Sequence, residues 1–267
     1  MDKATIGGLI LAWVSLVGSV MLEGGGEGGG GGGGESKLAM FFKLAPAVLV
    51  FGGTLGATSI GFSLKEILEV PTKLKTAFSR KAMDFEVLIK QLIDFATRAR
   101  RDGILALEND IDGLQDPFMK KGFQLAIDGA DLDNIHEILE QDISRSKLWF
   151  KEGEEFFKQL AGFAPTLGII GTVLGLISML SNLSDAGSMG PAIASAFIAT
   201  MYGVSSANLL FLPLGNKLKN VGAQDALEKR VVLEGVISIQ SGASIRITES
   251  RLRAIVGEHE GKKESKK

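Results

Sequence analysis

The 267-residue chain contains no cysteine, two histidines, one tyrosine and two tryptophans. Without cysteine there can be no disulfide framework, thiolate zinc site, iron–sulfur cluster or cysteine nucleophile. His136 and His259 lie far apart and have no His-x-x-x-His partner, so no histidine metal site is expected. A net charge of −2 and so few rings for base stacking argue against a nucleic-acid partner. The chain also lacks G-x-S-x-G, H-E-x-x-H and paired carboxylates within an apolar stretch. No enzyme, cofactor or resident metal is expected from these residues.

Charge is the more telling deficit. Residues 4–22, 44–64, 159–184 and 186–216 hold no Asp, Glu, Lys or Arg, in runs of 19, 21, 26 and 31. About 20 apolar residues cross a bilayer as a helix. The expected fold class is therefore all-α, a polytopic membrane protein with four transmembrane helices and a helical cytoplasmic domain. The layout places a first span over 1–22, an extracytoplasmic glycine-rich loop over 23–43 and a second span over 44–64. A cytoplasmic helical domain follows over 65–160, and a third span over 161–184. A short outer loop covers 185–190, a fourth span 191–216 and a cytoplasmic helical tail 217–267. A cleaved leader is the weaker reading of the first span, because MDKA carries one lysine and no A-x-A site follows Leu22.

Basic residues orient the spans. Of 29 Lys plus Arg, 15 lie in the 65–158 segment and 11 follow Leu214, whereas only Lys37 and Lys43 fall between the first two spans. Both termini and the long loop are expected in the cytoplasm. The run GGGEGGGGGGG over 24–34 cannot repay its ordering entropy by burying side chains, and reads as a flexible connector. It matches G-x-G-x-x-G trivially, but no strand precedes it, so no dinucleotide site is inferred.

The cytoplasmic mass reads as helices. Phe85, Leu88, Leu92 and Phe95 or Ala96 recur at helical spacing between Asp84 and Ala99. A further helix is expected around ILALENDI, and Asp116-Pro117 reads as a cap and first helical position. From Asp131 to Leu160, Ile135, Ile138, Leu139, Ile143, Phe150, Phe157 and Leu160 mark a helix that continues into the third span. The tail is helical to about Ile255, with GEHEGKKESKK frayed beyond it. Asp110, Asp112 and Asp116 hint at calcium, but the central Gly and downstream Glu of an EF-hand are out of register, so they read as acidic surface.

In the third span Pro165, Gly168, Thr172 and Gly175 form one stripe, and in the fourth Ala196, Thr200, Gly203 and Ala207 form another. Small residues let membrane helices approach closely. The sharper reading makes Thr172 and Thr200 oxygen donors along a cation path. Ion relays within membranes normally use a titratable group at depth. None of the four spans holds one, so an ion-conducting chain of this kind would need that group from another subunit.

The pieces VFGGTLGAT (50–58), RARRDGILALENDI (98–111), FAPTLGIIGTVLGL (163–176), AFIATMYG (196–203) and LPLGNKLK (212–219) together resemble the flagellar stator subunit family MotA and its sodium-type relatives. The resemblance covers nearly the whole chain. It implies a ring of five subunits in the bacterial inner membrane around two copies of a MotB-like single-span partner, which supplies the membrane Asp. It implies rotor contact, with the protein FliG, through Arg100 and Glu108, the R-x7-E pair around Gly103. It places the family's functional prolines at Pro165 and Pro213, the conformational couplers. Thr172 stands where sodium-type members commonly carry threonine, so sodium is favoured over the proton as the transported cation. GASIRITESRL (242–252) departs from the family's tail pattern at Ser244 and Ile245. The alternatives are a TolQ/ExbB-like energiser, or a four-span transporter or scaffold without a motor role.

Overall fold

The computed structural model describes residues 3–23, 41–80, 83–182 and 184–264, and among these every regular element is helical. The glycine tract and Lys37 lie outside the described residues. The chain divides into two compact units: residues 1–80 with 152–219, and 81–151 with 220–267.

The first unit holds the apolar segments. Helix α1 spans Lys3–Glu23, within which Ile10–Ser19 is a shorter apolar stretch. Helix α2, Leu44–Ser59, meets α3, Leu64–Ser79, at a bend of 116°. The helix was expected to run to Leu64 but stops at Ser59, because the sequence SLKE builds a start signal just beyond. Ser63 has an extended backbone and its hydroxyl accepts from the Glu66 N–H at 3.3 Å, while the Glu66 carboxylate accepts from the Ser63 N–H at 2.7 Å. This reciprocal box satisfies two otherwise orphaned donors and fixes where α3 begins. The hydrogen bonds from Ser63 hold the Glu66 carboxyl below the usual carboxylate range.

Helix α7, Leu132–Ser181, runs unbroken for 50 residues, as its apolar spacing implied. Residues 182–185 join it to α8, Ala186–Ser206, whose first turn is capped by Asp185 accepting from Gly187 N–H at 3.0 Å. The connection is thus tighter than the expected loop, and Pro191 lies inside the helix. Helix α8 passes through a π-turn, Ala207–Phe211, directly into α9, Leu212–Gln240. α7 and the continuous helix Met189–Gln240 are both long and apolar enough to cross a membrane, and the bent α2–α3 pair adds a third candidate.

The second unit has its own core. Helix α4, Phe85–Asp102, is followed by a 3-10 turn at Ile104–Leu107, α5 at Glu108–Asp112 and α6 at Pro117–Ile127. Asp116 caps α6 and Pro117 opens it, as the dipeptide suggested. Leu88, Leu92 and Phe95 of α4 are buried with Phe123, with Ile135, Leu139 and Ile143 of α7, and with Val231, Val232 and Val236 of α9. The Phe95 and Phe123 rings meet edge to face at 5.1 Å. Gly242, at φ 68°, breaks the chain between α9 and α10, Ile245–Glu264, and α10 returns Leu252 to the same core.

The division therefore differs from the boundaries 65–160 and 217–267. The tail is no appendage, because its apolar face completes a core that residues 85–143 cannot close alone. A bidentate ion pair from Arg253 to Glu86, at 2.7 and 3.2 Å, adds to that closure. Helix α10 also continues to Glu264, past the expected fraying point at Ile255.

Candidate functional site

Two places in the molecule collect the residues singled out by sequence. The first is the seam between α7 and α8. A Cβ on Gly203 would stand 2.5 Å from the Ala164 carbonyl oxygen, and one on Gly168 would stand 2.9 Å from that of Ala199. On Gly171 it would meet the Ala199 Cβ at 2.5 Å, and on Gly175 the Ala196 Cβ at 2.7 Å. None of these distances is open to a real side chain. Glycine is needed at each position for the backbones to approach this closely.

Thr172 and Thr200 sit half-buried within this seam and are hydrogen-bonded to each other through their hydroxyls. Thr172 Oγ1 also lies 3.2 Å from the carbonyl oxygens of both Gly168 and Ala196, alternative acceptors for its one hydrogen, and Thr200 Oγ1 lies 3.4 Å from the Gly168 oxygen. Two hydroxyls and two carbonyls thus converge on one spot, from both helices. The Gly168 bond is the usual back-bond of a helical threonine, whereas the Ala196 and Thr200 contacts cross between helices. The sequence stripes located Thr172, Thr200, Gly168, Gly175 and Gly203 here. They missed Gly171 and Ala199, whose packing is among the tightest, because each stripe was read one residue wide.

Away from the seam, Ile169, Ile170, Val173, Leu174 and Ile177 of α7 and Phe197 of α8 are exposed. A contiguous apolar face of that extent is covered by lipid or other helices in a native setting.

Pro165 lies inside α7 and Pro213 is the second residue of α9, so neither ends a helix. Pro213 has no N–H to give the Leu209 carbonyl, and its ring would clash with that oxygen in a regular α-turn. The π-turn immediately before it, Ala207–Phe211, widens the ladder where this conflict falls.

At the base of the same unit, Lys73 of α3 is 1% exposed and donates to Glu152 of α7 at 2.7 Å, with Glu69 at 3.6 Å. Its stem crosses Gly153, where a Cβ would lie 3.2 Å from Lys73 Cδ. Composition gave no sign of this pair, since its partners are 79 residues apart.

The second place is the charged loop after α4. Arg100 lies in the last turn of α4, Gly103 ends the helix at φ 84°, and Glu108 opens α5, so two helices do divide the R-x7-E pair. Both residues are exposed, and among the described residues neither makes an ion pair. Their neighbours are engaged. Arg98 bridges Asp94 and, at 2.6 Å, Asp110, and its guanidinium lies 5.5 Å from the Phe95 ring centre. Arg101 holds Asp102 at 2.7 Å, and its hydrogen bonds keep that carboxyl below the usual carboxylate range. The loop is therefore braced by Arg98 and Asp110 while Arg100 and Glu108 point outward uncommitted.

The acidic residues that hinted at calcium are accounted for. Asp110 pairs with Arg98, Asp112 with Lys120 at 2.8 Å, and Asp116 caps α6. Among the described residues no three His, Asp or Glu side chains gather as a metal site.

Comparison with known proteins agrees with this geometry. The pattern of the MotA/TolQ/ExbB proton channel family matches residues 110–230. Motility protein A of Bacillus subtilis strain 168 is 35% identical over 253 residues, which is 94% of this chain and 90% of the relative. The structure of C. jejuni MotAB superposes with a TM-score of 0.84 at 31% identity, covering 96% of each chain. That of the flagellar MotAB stator complex from Bacillus subtilis does so with 0.82 at 32%, covering 94% of each. These relatives are motor stator channel subunits rather than enzymes, and they match over 94–96% of this chain. The chain belongs to the motility protein A family of membrane stator subunits.

Proposed function

We propose that this chain is the ion-conducting subunit of a flagellar stator, coupling cation flow to torque on a rotor, with sodium favoured over the proton. The observation that carries the reading is the Thr172–Thr200 cluster in a seam between two stretches, 159–184 and 186–216, that hold no Asp, Glu, Lys, Arg or His. Sodium must replace its hydration oxygens, and the cluster offers hydroxyls and carbonyls for that purpose. A proton needs no such coordination cage, only a membrane carboxylate to accept it, and this chain has none at depth. A MotB-like single-span partner supplies that carboxylate, and several copies of this chain, five by family resemblance, surround it in the inner membrane. The arrangement has four spans, α1 and α2 among them, with both termini and the second unit in the cytoplasm. Arg100 and Glu108 then face the rotor protein FliG, and Pro165 and Pro213 let α7 and α8–α9 flex as ions pass.

Reconstitution tests the reading. The purified chain alone in liposomes is expected to pass neither sodium nor protons. Co-reconstitution with the single-span partner is expected to create flux that depends on sodium at fixed pH and membrane potential. Robust flux from the chain alone would overturn the assignment. Sodium-independent flux that collapses with a protonophore would reverse the choice of ion.

A further inference from the structure

Helix α2 lies antiparallel along α7 in a single register. A Cβ on Gly171 would meet Leu49 Cδ2 at 3.2 Å, and one on Gly53 would meet Leu167 Cδ1 at 3.1 Å. One on Gly61, just beyond the helix, would meet Gln159 Oε1 at 3.2 Å. Each step along α2 is thus matched by an equal step back along α7. The register places Thr54 level with Thr166 and Thr58 level with Gly162. At 1.5 Å per residue, Thr54 stands about 9 Å from the level of Thr172, in the direction of Gln159.

Thr54 and Thr58 are 0% exposed and continue the buried line of α2 begun by Pro46 and Val50, at a spacing of four residues. Neither hydroxyl has a hydrogen-bond partner among the described residues. Nearby hydroxyls behave differently. Ser59 donates to the Leu55 carbonyl and Thr166 to that of Phe163, each at 2.7 Å, the usual resort of a hydroxyl in an apolar helix. The carbonyl four residues before Thr54 is that of Val50, inside the π-turn Val48–Gly52 that interrupts the regular ladder. A buried hydroxyl without a partner is costly, and here two stand one turn apart on one face.

The spacing selects the occupant. Residues at i and i+4 hold their Cβ atoms about 5–6 Å apart, and one water bonded to two hydroxyls at about 2.8 Å each spans that gap. Between the two levels the buried α7 residue is Ala164, and α8 brings Gly203 against the Ala164 carbonyl, so the side chains at this depth are short. Stretches 44–64 and 159–184 hold no charged side chain, which favours a neutral ligand. We propose that Thr54 and Thr58 bind a buried water molecule between α2 and α7, a hydration site in the apolar part of the first unit. The water accepts from both hydroxyls and keeps two hydrogens for backbone carbonyls, within the two to four bonds usual for a buried water. The site extends the line of oxygen groups from the Thr172–Thr200 cluster toward Gln159. It needs neither cation nor partner chain, so it stands whichever ion the seam passes.

X-ray footprinting tests the site, because radiolysis of a bound water oxidises the side chains beside it. The full-length chain in nanodiscs is pulsed, and oxidation of Leu167, which packs on Gly53 next to Thr54, is measured by mass spectrometry. Ile169 and Ile170, exposed on the apolar face of the same helix, set the background. Leu167 is expected to react several-fold faster than either. The double variant Thr54→Val/Thr58→Val keeps the shape without the hydroxyls. It should bring Leu167 down to the background and lower the melting temperature, whereas Thr54→Ser/Thr58→Ser should retain the oxidation. Background oxidation of Leu167 in the unmodified chain would overturn the proposal, and that comparison needs no variant to fold. A valine variant that keeps the fast oxidation would overturn it too. So would an unchanged or raised melting temperature, the mark of hydroxyls that bond within their own helix or stand dry.

Discussion

The hydroxyls of Thr172 and Thr200 are hydrogen-bonded to each other across the α7–α8 seam, and both lie within reach of the Gly168 carbonyl. A pair of threonines so placed either lends oxygens to a passing cation or merely closes the gap between two helices. Isosteric substitution separates these roles. Thr172→Val keeps the shape and removes the hydroxyl, whereas Thr172→Ser keeps the hydroxyl. If the oxygen serves sodium, Val should lower sodium-driven flux by ~10-fold or more, as expected for the loss of ~1.4 kcal/mol of ligation, and Ser should retain it. Equal flux in the two variants would make Thr172 a packing residue.

The glycines of the seam make a second, sharper prediction. Gly203→Ala must displace the Ala164 backbone, and overpacking of this kind costs about 1–3 kcal/mol. Thermal unfolding of the purified chain should shift downward accordingly, and flux with the partner should fall. Gly257→Ala is the control: its Cβ would meet nothing within 4 Å, at an exposed position of α10. There alanine should be neutral or stabilise by up to about 1 kcal/mol through helix propensity.

Lys73 and Glu152 test a buried charge. Removing one partner strands the other in a poorly solvated site, which typically costs about 3–5 kcal/mol. Glu152 is 28% exposed and Glu69 stands by, so Lys73→Met should fall at the lower end of that range. The double variant Lys73→Met/Glu152→Gln should recover part of the loss in a double-mutant cycle. Additive losses would show that the pair has no coupling worth the name.

The charged loop separates bracing from contact. Arg98→Ala breaks the bridge to Asp94 and Asp110, and should reduce the thermal stability of the second unit by about 1 kcal/mol. Arg100→Glu and Glu108→Lys should leave stability and membrane assembly unchanged while impairing swimming, because neither residue makes an ion pair among the described residues. Reversal of the complementary charge on the rotor should restore motion. Normal motility of the Arg100→Glu/Glu108→Lys double variant would return both residues to ordinary solvated surface.

What the sequence determined by itself followed from periodicity and exclusion. A charge-free apolar run of about 20 residues is too long for a strand and fits a membrane helix, so the apolar segments were legible. The spacing of Ile135, Leu139 and Ile143 gave the direction of α7's buried face, and Asp116-Pro117 gave the start of α6. Small residues every three or four positions marked the α7 and α8 stripes. The S-x-x-E of Ser63 and Glu66 lies at the end of the apolar run 44–64 and marks the start of α3 only once Ser63 is seen to cap it.

Only the tertiary structure decided the rest, because those features depend on residues far apart in the chain. Periodicity cannot say that Thr172 meets Thr200, or that Gly171, outside the stripe, packs against Ala199 of α8. It cannot say that Lys73 reaches Glu152 across Gly153, since a lysine among other charges looks like surface until its partner is placed. The same reasoning covers the tail. Val231, Val236 and Leu252 read as an amphipathic pattern of their own, yet their burial depends on Leu92 and Leu139, which only packing brings to them. Local pattern fixes which face of each helix is apolar; the choice of neighbour for that face is a property of the folded chain.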